Sequence, residues 1–318
     1  MFPYGNDKSS FYGIIYGMEE KYIPSEKLRI FEPLTDVPMS SYTTIHCGGP
    51  ADIGLFPKSE DELALMLGIL RDEDIPVSVI GGGSNLLVGD GGIRGAAVFI
   101  GGLREMRIRD GLMSVSAGVS LPKAARMAAE ASLTGLEFAS GIPGTVGGAV
   151  VMNAGAYGRE MKDILQKVRV MDRLGNITTM GLGELGLSYR RSVFSENRDD
   201  IILSALIKLD EGNRDTVMEK MKELAANRRD TQPLDMPSAG STFKRPGNDS
   251  AARLIDVCGL KGLRVGDAMV SEKHAGFVVN AGSATARDVR ELIALVQEKV
   301  EAGFGVRLEP EIKYMGSF

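Results

Sequence analysis

Three short segments carry side chains of the kinds that move protons and hold anions. Ser188-Tyr189-Arg190-Arg191-Ser192 sets two arginines behind a tyrosine. It reads either as a solvated basic edge or as an arginine held where negative charge develops, a task suited to the fixed fork of guanidinium donors. Ala239-Gly240-Ser241-Thr242-Phe243-Lys244-Arg245-Pro246 places a serine in a Gly-Ser turn beside two cations. This is either a charged surface turn or a hydroxyl that gives or takes a proton, with Lys244 and Arg245 holding a phosphate. No histidine lies near Ser241 in sequence, which disfavours a Ser-His hydrolase. Leu308-Glu309-Pro310-Glu311-Ile312-Lys313 carries two carboxylates two positions apart. In an extended strand that spacing turns both to one face, either toward solvent or to serve as a proton relay or positioning group.

Two glycine-rich segments accompany them. Gly81-Gly82-Gly83-Ser84-Asn85-Leu86-Leu87 follows an apolar run, 77–80, that reads as a short buried strand. Consecutive glycines cost backbone entropy and pack nothing. They are either a plain turn or a nest of amides around anionic oxygens, and Ser84 and Asn85 favour the second. The spacing is neither that of a dinucleotide-binding Gly-x-Gly-x-x-Gly loop nor that of a P-loop, and another strand (96–100) follows in place of a helix. The second segment, Gly141-Ile142-Pro143-Gly144-Thr145-Val146-Gly147-Gly148, runs into Met152-Asn153-Ala154-Gly155-Ala156-Tyr157-Gly158. Two such loops after two strand–helix sections imply two small α+β lobes gripping one elongated ligand. A dinucleotide with a planar headgroup would need both.

The elements that must position these residues are legible from capping and periodicity. Ser59-x-x-Glu62 opens a helix with the stripe Leu63, Met66, Leu67, Leu70. Residues 113–117 form a strand, and Ser120-Leu121-Pro122 opens an alanine-rich helix ending at Gly135. Strands follow at 168–171 and 201–209, then a charged helix over 215–228 with Val217, Met221 and Leu224 inward, and a loop over 231–240. A helix over 250–258 and a strand over 277–280 lead to a long helix capped by Thr285-x-x-Asp288, with Val289, Leu292, Ile293, Val296 and Val300 inward and Gly303 at its end. Residues 307–315 read as an extended strand. The expected organisation is a tail (1–22, with Tyr4, Tyr12, Tyr16 and Tyr22, a tail or docking arm), lobe 1 (23–103), lobe 2 (104–210), a third α+β domain (211–303) and a strand returning to the site (304–318).

Composition narrows the classes. The 318 residues are 43% hydrophobic and 25% charged with net charge −5, an ordinary globular balance with no basic excess for nucleic acid or anionic membrane. Cys47, Cys258 and two histidines lie in no metal-ligand spacing, so neither a disulfide framework nor a metal centre is expected. His46 and His274 read as structural or ligand-edge residues, and the 16 methionines as core filler. Free thiols, the absence of a signal peptide and the lack of an apolar run near the ~20 residues of a membrane span point to the cytoplasm.

Taken in order, the segments Thr43-Thr44, Gly48–Asp52, Gly81–Leu87, Gly141–Gly148, Asn153–Gly158, Tyr189–Ser192, Gly240–Lys244, His274–Asn280 and Glu311 resemble the UDP-N-acetylenolpyruvoylglucosamine reductases, and resemble their shorter, type II form. The resemblance covers nearly everything after residue 35 and rests on the ordered set. It implies an α+β fold with a two-lobed FAD-binding region of the vanillyl-alcohol-oxidase type and a third domain for the UDP-sugar. It implies bound FAD, NADPH as co-substrate and UDP-N-acetylenolpyruvoylglucosamine as substrate, with no nucleic acid, membrane or obligate protein partner. By position, Arg190 resembles the arginine that stabilises the enolate, Ser241 the serine that protonates C2 and Glu311 their partner glutamate. Gly81, Gly82, Gly83, Ser84, Asn85, Gly141, Ile142, Gly144, Thr145, Gly147, Gly148, Asn153 and Gly155 fall at the cofactor, and Tyr189, Arg228, Lys244 and Arg245 at the substrate. Ile45-His46-Cys47 departs from the family's aromatic and basic pair. Competing readings are a flavin oxidase or dehydrogenase on the same fold, which would not need the Arg190, Ser241 and Glu311 set, and a silent nucleotide-sugar binder, which would carry no flavin.

Overall fold

The computed structural model describes residues 21–195 and 199–318. Of the tail expected over 1–22, only Lys21 and Tyr22 fall among them. In lobe 1, β1 (Leu34–Pro38) and β2 (Pro50–Leu55) pair antiparallel. α1 (Glu60–Asp72) leads to β3 (Val77–Ile80), and a glycine loop joins it to β4 (Leu86–Val88) and β5 (Ile93–Phe99). The sheet runs β1-β2-β5-β3, with β5 parallel to both neighbours. All of β5 except Arg94 is buried, the near-continuous apolar run of a parallel strand covered on both faces. Its side chains alternate between two cores. Ala96 and Val98 meet the α1 stripe. Ala97 and Phe99 join Val37, Met39, Tyr42 and Phe56, with Phe56 and Phe99 stacked at 4.7 Å. Ser59 caps α1 by accepting the Glu62 N–H at 3.1 Å.

Lobe 2 is a five-stranded antiparallel sheet with two helices. Its elements are β6 (Met106–Arg109), β7 (Leu112–Ser116), α2 (Leu121–Glu130), α3 (Val146–Val151), β8 (Leu165–Met171), β9 (Ile177–Gly181) and β10 (Ile201–Lys208), in the sheet order β9-β8-β10-β7-β6. Two expectations need correction. α2 stops at Glu130 and not at Gly135, because Ser132 turns left-handed (φ 58°) and Leu133–Thr134 then pairs with Asp210–Glu211. The second glycine segment is only partly loop: Thr145 caps α3, and Gly147 and Gly148 form its first turn. Lobes 1 and 2 share one apolar core, in which Leu63 and Met66 of α1 join Val115, Val168 and Ile202 of the second sheet. Arg169 spans the same seam, binding both Glu60 oxygens at 2.7 and 2.8 Å.

α4 (Arg214–Thr231) was expected in the third domain. Its neighbours are instead α2 and the Glu137–Ala139 turn of lobe 2, because its inward residues meet that lobe's helical face. The third lobe then contains α5 (Ala251–Val257), β11 (Arg264–Val265), β12 (Ala268–Val270), β13 (Val278–Asn280) and α6 (Ala286–Phe304). The three strands form an antiparallel meander. α6 covers it with Val289, Leu292, Ile293, Val296 and Val300. Thr285 and Asp288 form the reciprocal capping box, and the left-handed terminator is Gly305 (φ 66°), two positions beyond the expected Gly303.

The final strand is shorter than 307–315. Only β14 (Lys313–Met315) is regular, and it pairs parallel with β4 of lobe 1. Pro310 has no N–H to give a ladder, so the preceding residues make isolated contacts, among them a bridge to Phe243. Further ties run from lobe 1 to the third lobe. Asp90 accepts the Ala286 and Arg287 N–H groups at 2.8 and 2.9 Å at the start of α6. Thr44 Oγ1 donates to Ser238 O at 2.6 Å, and Asn280 Nδ2 to Ile45 O at 3.1 Å. Ile45, Cys47 and Leu87 are buried in the third lobe's core, where burial, then Asp90 and Asp288, pushes the Cys47 thiol up to about 12.

Leu63 is fully buried in the core shared by lobes 1 and 2, whereas Leu65 on the same helix is 60% exposed. Leu63→Ala should cost about 2–5 kcal/mol of stability and Leu65→Ala less than about 0.5 kcal/mol, measured by urea denaturation. Equal losses would contradict the assigned face of α1.

Candidate active site

The two glycine segments face each other closely enough that side chains are excluded. A Cβ on Gly82 would stand 2.7 Å from Gly144 Cα, and one on Gly144 2.6 Å from Ser84 Oγ. Gly83 has φ 62°, and a Cβ there would lie 1.9 Å from Tyr42 O. Gly81 abuts Thr145 Oγ1 (2.8 Å to a built Cβ), and Ser84 Oγ donates to Pro143 O at 3.1 Å. Among the described residues the N–H groups of Gly82, Gly83 and Ser84 have no acceptor in the chain. Amides turned outward from a glycine turn fit an anionic diphosphate. At the far end of the second segment, Arg228 packs its stem on Gly141, with 3.1 Å between its Cδ and a built Cβ. Burial lowers the Arg228 pKa, Tyr157 opposing, and no carboxylate among the described residues pairs with it. Ser140 Oγ and Gln232 Oε1, next to Gly141 and just beyond Arg228 in sequence, are buried with no hydrogen-bond partner among the described residues. Amides, a buried cation and orphaned polar atoms together suit a large polar ligand carrying negative charge.

A second cluster assembles at the other side of Asn85. Arg190 Nε donates to Glu311 Oε1 at 2.7 Å, and its Nη2 to Gly155 O at 3.0 Å. The Arg190 backbone is left-handed (φ 55°), a conformation that costs a non-glycine residue of order 1–3 kcal/mol and persists only where surroundings enforce it. Two contacts enforce it. Asn153, fully buried, donates to Ser188 O at 3.0 Å and accepts the Lys162 N–H at 2.9 Å. Ser192 Oγ donates to Val151 O at 2.7 Å. The guanidinium also lies over the Tyr189 ring, 5.0 Å from its centroid. Ser241 follows Gly240 (φ 77°) and is exposed. Its neighbour Thr242 is fully buried and ties the cluster together: its N–H donates to Gly276 O (2.8 Å), its Oγ1 accepts from Val278 N (2.9 Å), and its carbonyl accepts the Glu311 N–H (2.8 Å).

Glu309 and Glu311 do not share a face. Glu309 is exposed and pairs with Lys244, while the Glu311 side chain is 13% exposed and pairs with Arg190. Pro310 between them breaks the strand geometry that the i, i+2 spacing presumed. Burial raises the Glu311 carboxyl above the ordinary value, against the opposing pull of Arg190, Lys244 and Lys313. The desolvation of an enclosed carboxylate thus outweighs three nearby cations.

The remaining sequence candidates are spread more widely. Gly147 packs against Ala117 and Ile142 against the shared core. The Tyr189 hydroxyl accepts the Arg245 N–H at 3.3 Å, and Arg245 itself is exposed. His46 is exposed with φ 56°. His274 accepts the Gly276 N–H on Nδ1 and sits edge-on to Phe277, with burial lowering its pKa. Thr242, Met152 and Asp90 were not anticipated. No sequence signal marked them: Thr242 sits among Ser241, Phe243, Lys244 and Arg245, and only its burial shows that its hydroxyl needs a partner.

A family profile described as an FAD binding domain matches residues 51–181, a span that contains both glycine segments. Fold and site therefore define an FAD-containing oxidoreductase. A second profile, for the C-terminal domain of UDP-N-acetylenolpyruvoylglucosamine reductase, matches residues 232–315. The UDP-N-acetylenolpyruvoylglucosamine reductase of Caldanaerobacter subterraneus subsp. tengcongensis is 49% identical over 279 residues, covering 88% of this chain and 92% of its own. That of Agathobacter rectalis is 48% identical, covering 95% and 100%. The solved UDP-N-acetylenolpyruvylglucosamine reductase of Thermus caldophilus superposes with a TM-score of 0.77 at 38% identity, covering 89% of this chain and 98% of that one. The chain belongs to the UDP-N-acetylenolpyruvoylglucosamine reductase family.

The raised Glu311 carboxyl has a stability consequence. Between its ordinary and its raised pKa the folded state holds a proton that the unfolded state releases, so its contribution is full below the ordinary value and is lost as pH rises through the raised one. Glu311→Gln should therefore gain stability relative to the native protein as pH rises across that window. Urea denaturation in a pH series measures the difference, and a trend of opposite sign would mean that Arg190 dominates.

Proposed function

We propose that the chain reduces the enolpyruvyl ether of UDP-N-acetylenolpyruvoylglucosamine to UDP-N-acetylmuramate with NADPH as reductant, feeding peptidoglycan synthesis and through it cell shape and division. The observation that carries this reading is the Arg190–Glu311 pair one residue from the Ser241 turn and adjacent to a glycine cradle suited to FAD. FAD held in the glycine cradle would supply hydride chemistry at C3 of the enol ether, with NADPH as the source of the electrons. Addition of hydride at C3 leaves an electron pair at C2, conjugated with the substrate carboxylate, and a proton must reach C2 to complete the lactyl ether. Ser241 supplies that proton. A hydroxyl is a weak acid, but an enolate-like carbon is basic enough to take its proton when the two are aligned. Arg190 faces the charge that builds on the substrate carboxylate. Glu311 orients Arg190 through the hydrogen bond it accepts on Oε1.

The N–H groups of Gly82, Gly83 and Ser84 would hold the cofactor diphosphate, with Gly141–Gly148 closing the cradle from the other side and Thr145 fixing its turn; the N–H groups of Ile142, Val146 and Gly147 are bound within the chain. Tyr189, Lys244 and Arg245 would bind the anionic parts of the nucleotide sugar, whereas Arg228, which the sequence grouped with them, packs on Gly141 and would face the cofactor cradle. Two free cysteines support the cytoplasm as its compartment; among the described residues no helix is long and apolar enough to cross a membrane.

Anaerobic mixing tests the reading as a whole. NADPH should bleach the flavin, and the UDP-enolpyruvyl sugar should then restore its absorbance; a flavin that stays bleached rules the function out. Ser241→Ala should leave bleaching intact and abolish restoration in stopped-flow experiments, and normal restoration would remove Ser241 as the proton donor. Arg190→Met should slow restoration by roughly 100-fold or more, the usual loss for one preorganised donor (about 3 kcal/mol).

A further inference from the structure

Asn85 ends the first glycine segment, where the sequence groups it with the cofactor contacts. Its side chain is turned the other way. Nδ2 donates to Glu311 O at 3.1 Å and lies 3.6 Å from Met152 Sδ. The Asn85 carbonyl accepts the Lys313 N–H at 2.9 Å. One residue thus brackets Glu311 and Ile312 with two hydrogen bonds. From the other side the Glu311 N–H is held by Thr242 O at 2.8 Å. Ile312 is buried in the core that also contains Leu87 and Phe243, which pins the next position. The backbone of the glutamate is therefore suspended between the end of the cofactor loop and the neighbour of Ser241, and its side chain reaches Arg190 from that suspension.

We infer that Asn85 is a positioning residue, whose side-chain amide fixes the register of Glu311 against Arg190. The loop that cradles the cofactor would then also aim the carboxylate of the substrate half-reaction. The inference rests on the role proposed above for Glu311. An amide is required at this place because the partner is a carbonyl. Aspartate has the same shape, but as a carboxylate it has no proton to donate and sets two oxygens against each other. The hydrogen bond from Lys313 runs to the main chain and survives substitution, so the segment stays docked while Glu311 loses its side-chain tether.

Asn85→Asp and Asn85→Ser, with Glu311→Gln alongside, form the test. Flavin content of the purified protein, the dissociation constant for added FAD and flavin reduction by NADPH should stay close to native in both Asn85 variants. Reoxidation by the UDP-enolpyruvyl sugar should slow on the order of 10- to 100-fold, the scale for a reacting group displaced by about 1 Å, with the loss in kcat and little change in KM. Weakened FAD binding in both variants would place the Asn85 side chain on the cofactor and overturn the proposal. So would native reoxidation in an Asn85 variant while Glu311→Gln is slow. Native reoxidation in Glu311→Gln would instead overturn the role of Glu311 itself, and the positioning role with it.

Discussion

The hydrogen bond from Arg190 to Glu311 joins residues 121 positions apart, and four separate pieces of chain must be in place before it can form. Arg190 needs the left-handed turn that Asn153 and Ser192 hold open from lobe 2. Glu311 needs Thr242 on one side and Asn85 on the other. None of these contacts is strong alone, since a typical hydrogen bond contributes about 1 kcal/mol net. Together they leave the pair one arrangement, and desolvation then gives the carboxylate a proton affinity that an exposed glutamate lacks. Most polar structure described above, from the glycine cradle to the Ser241 turn, converges on the few residues around that pair.

The lobes are joined by different physics. Lobes 1 and 2 share a continuous apolar core, so separating them would expose buried aliphatic surface. The third lobe is attached to lobe 1 largely through hydrogen bonds and a short parallel strand pair, with Ile45, Cys47 and Leu87 as its apolar anchors. Its ties to lobe 2 are lighter: the Arg190–Glu311 pair, the Tyr189–Arg245 hydrogen bond and a bond from Lys273 to Arg229 O. Opening that lighter seam would leave the apolar core shared by lobes 1 and 2 undisturbed.

Much of this was legible in the sequence where local chemistry is decisive. Ser59 and the Thr285–Asp288 box announce their helices because capping is a matter of a few adjacent residues. The glycine segments announce a cradle because no side chain fits where two backbones nearly touch. What the sequence hid were facts set by distant partners. Glu309 and Glu311 look equivalent until Pro310 and the positions of Lys244 and Arg190 separate them. α4 reads as the opening of the third lobe by its place in the chain, yet its apolar residues are complementary to α2. Asn85 carries the right chemistry for a cofactor contact, and only the position of residues 311–313 shows where its amide goes. The short strands β1, β6 and β9 escaped for the same reason: their pairing, not their composition, makes them strands.

The parallel pairing of β4 with β14 has a consequence for the order in which the protein is made. Asn85 and Glu311 are 226 positions apart, a gap that takes about 10–50 s to cross at ordinary rates of synthesis. Through that interval the β4 edge, the Asp90 carboxylate and the apolar side chains of Ile45 and Leu87 wait without their partners while lobes 1 and 2 can already close their common core. The glycine cradle can thus be finished on the ribosome before Glu311 has been translated, so a ligand can be loaded there before the Arg190–Glu311 pair closes.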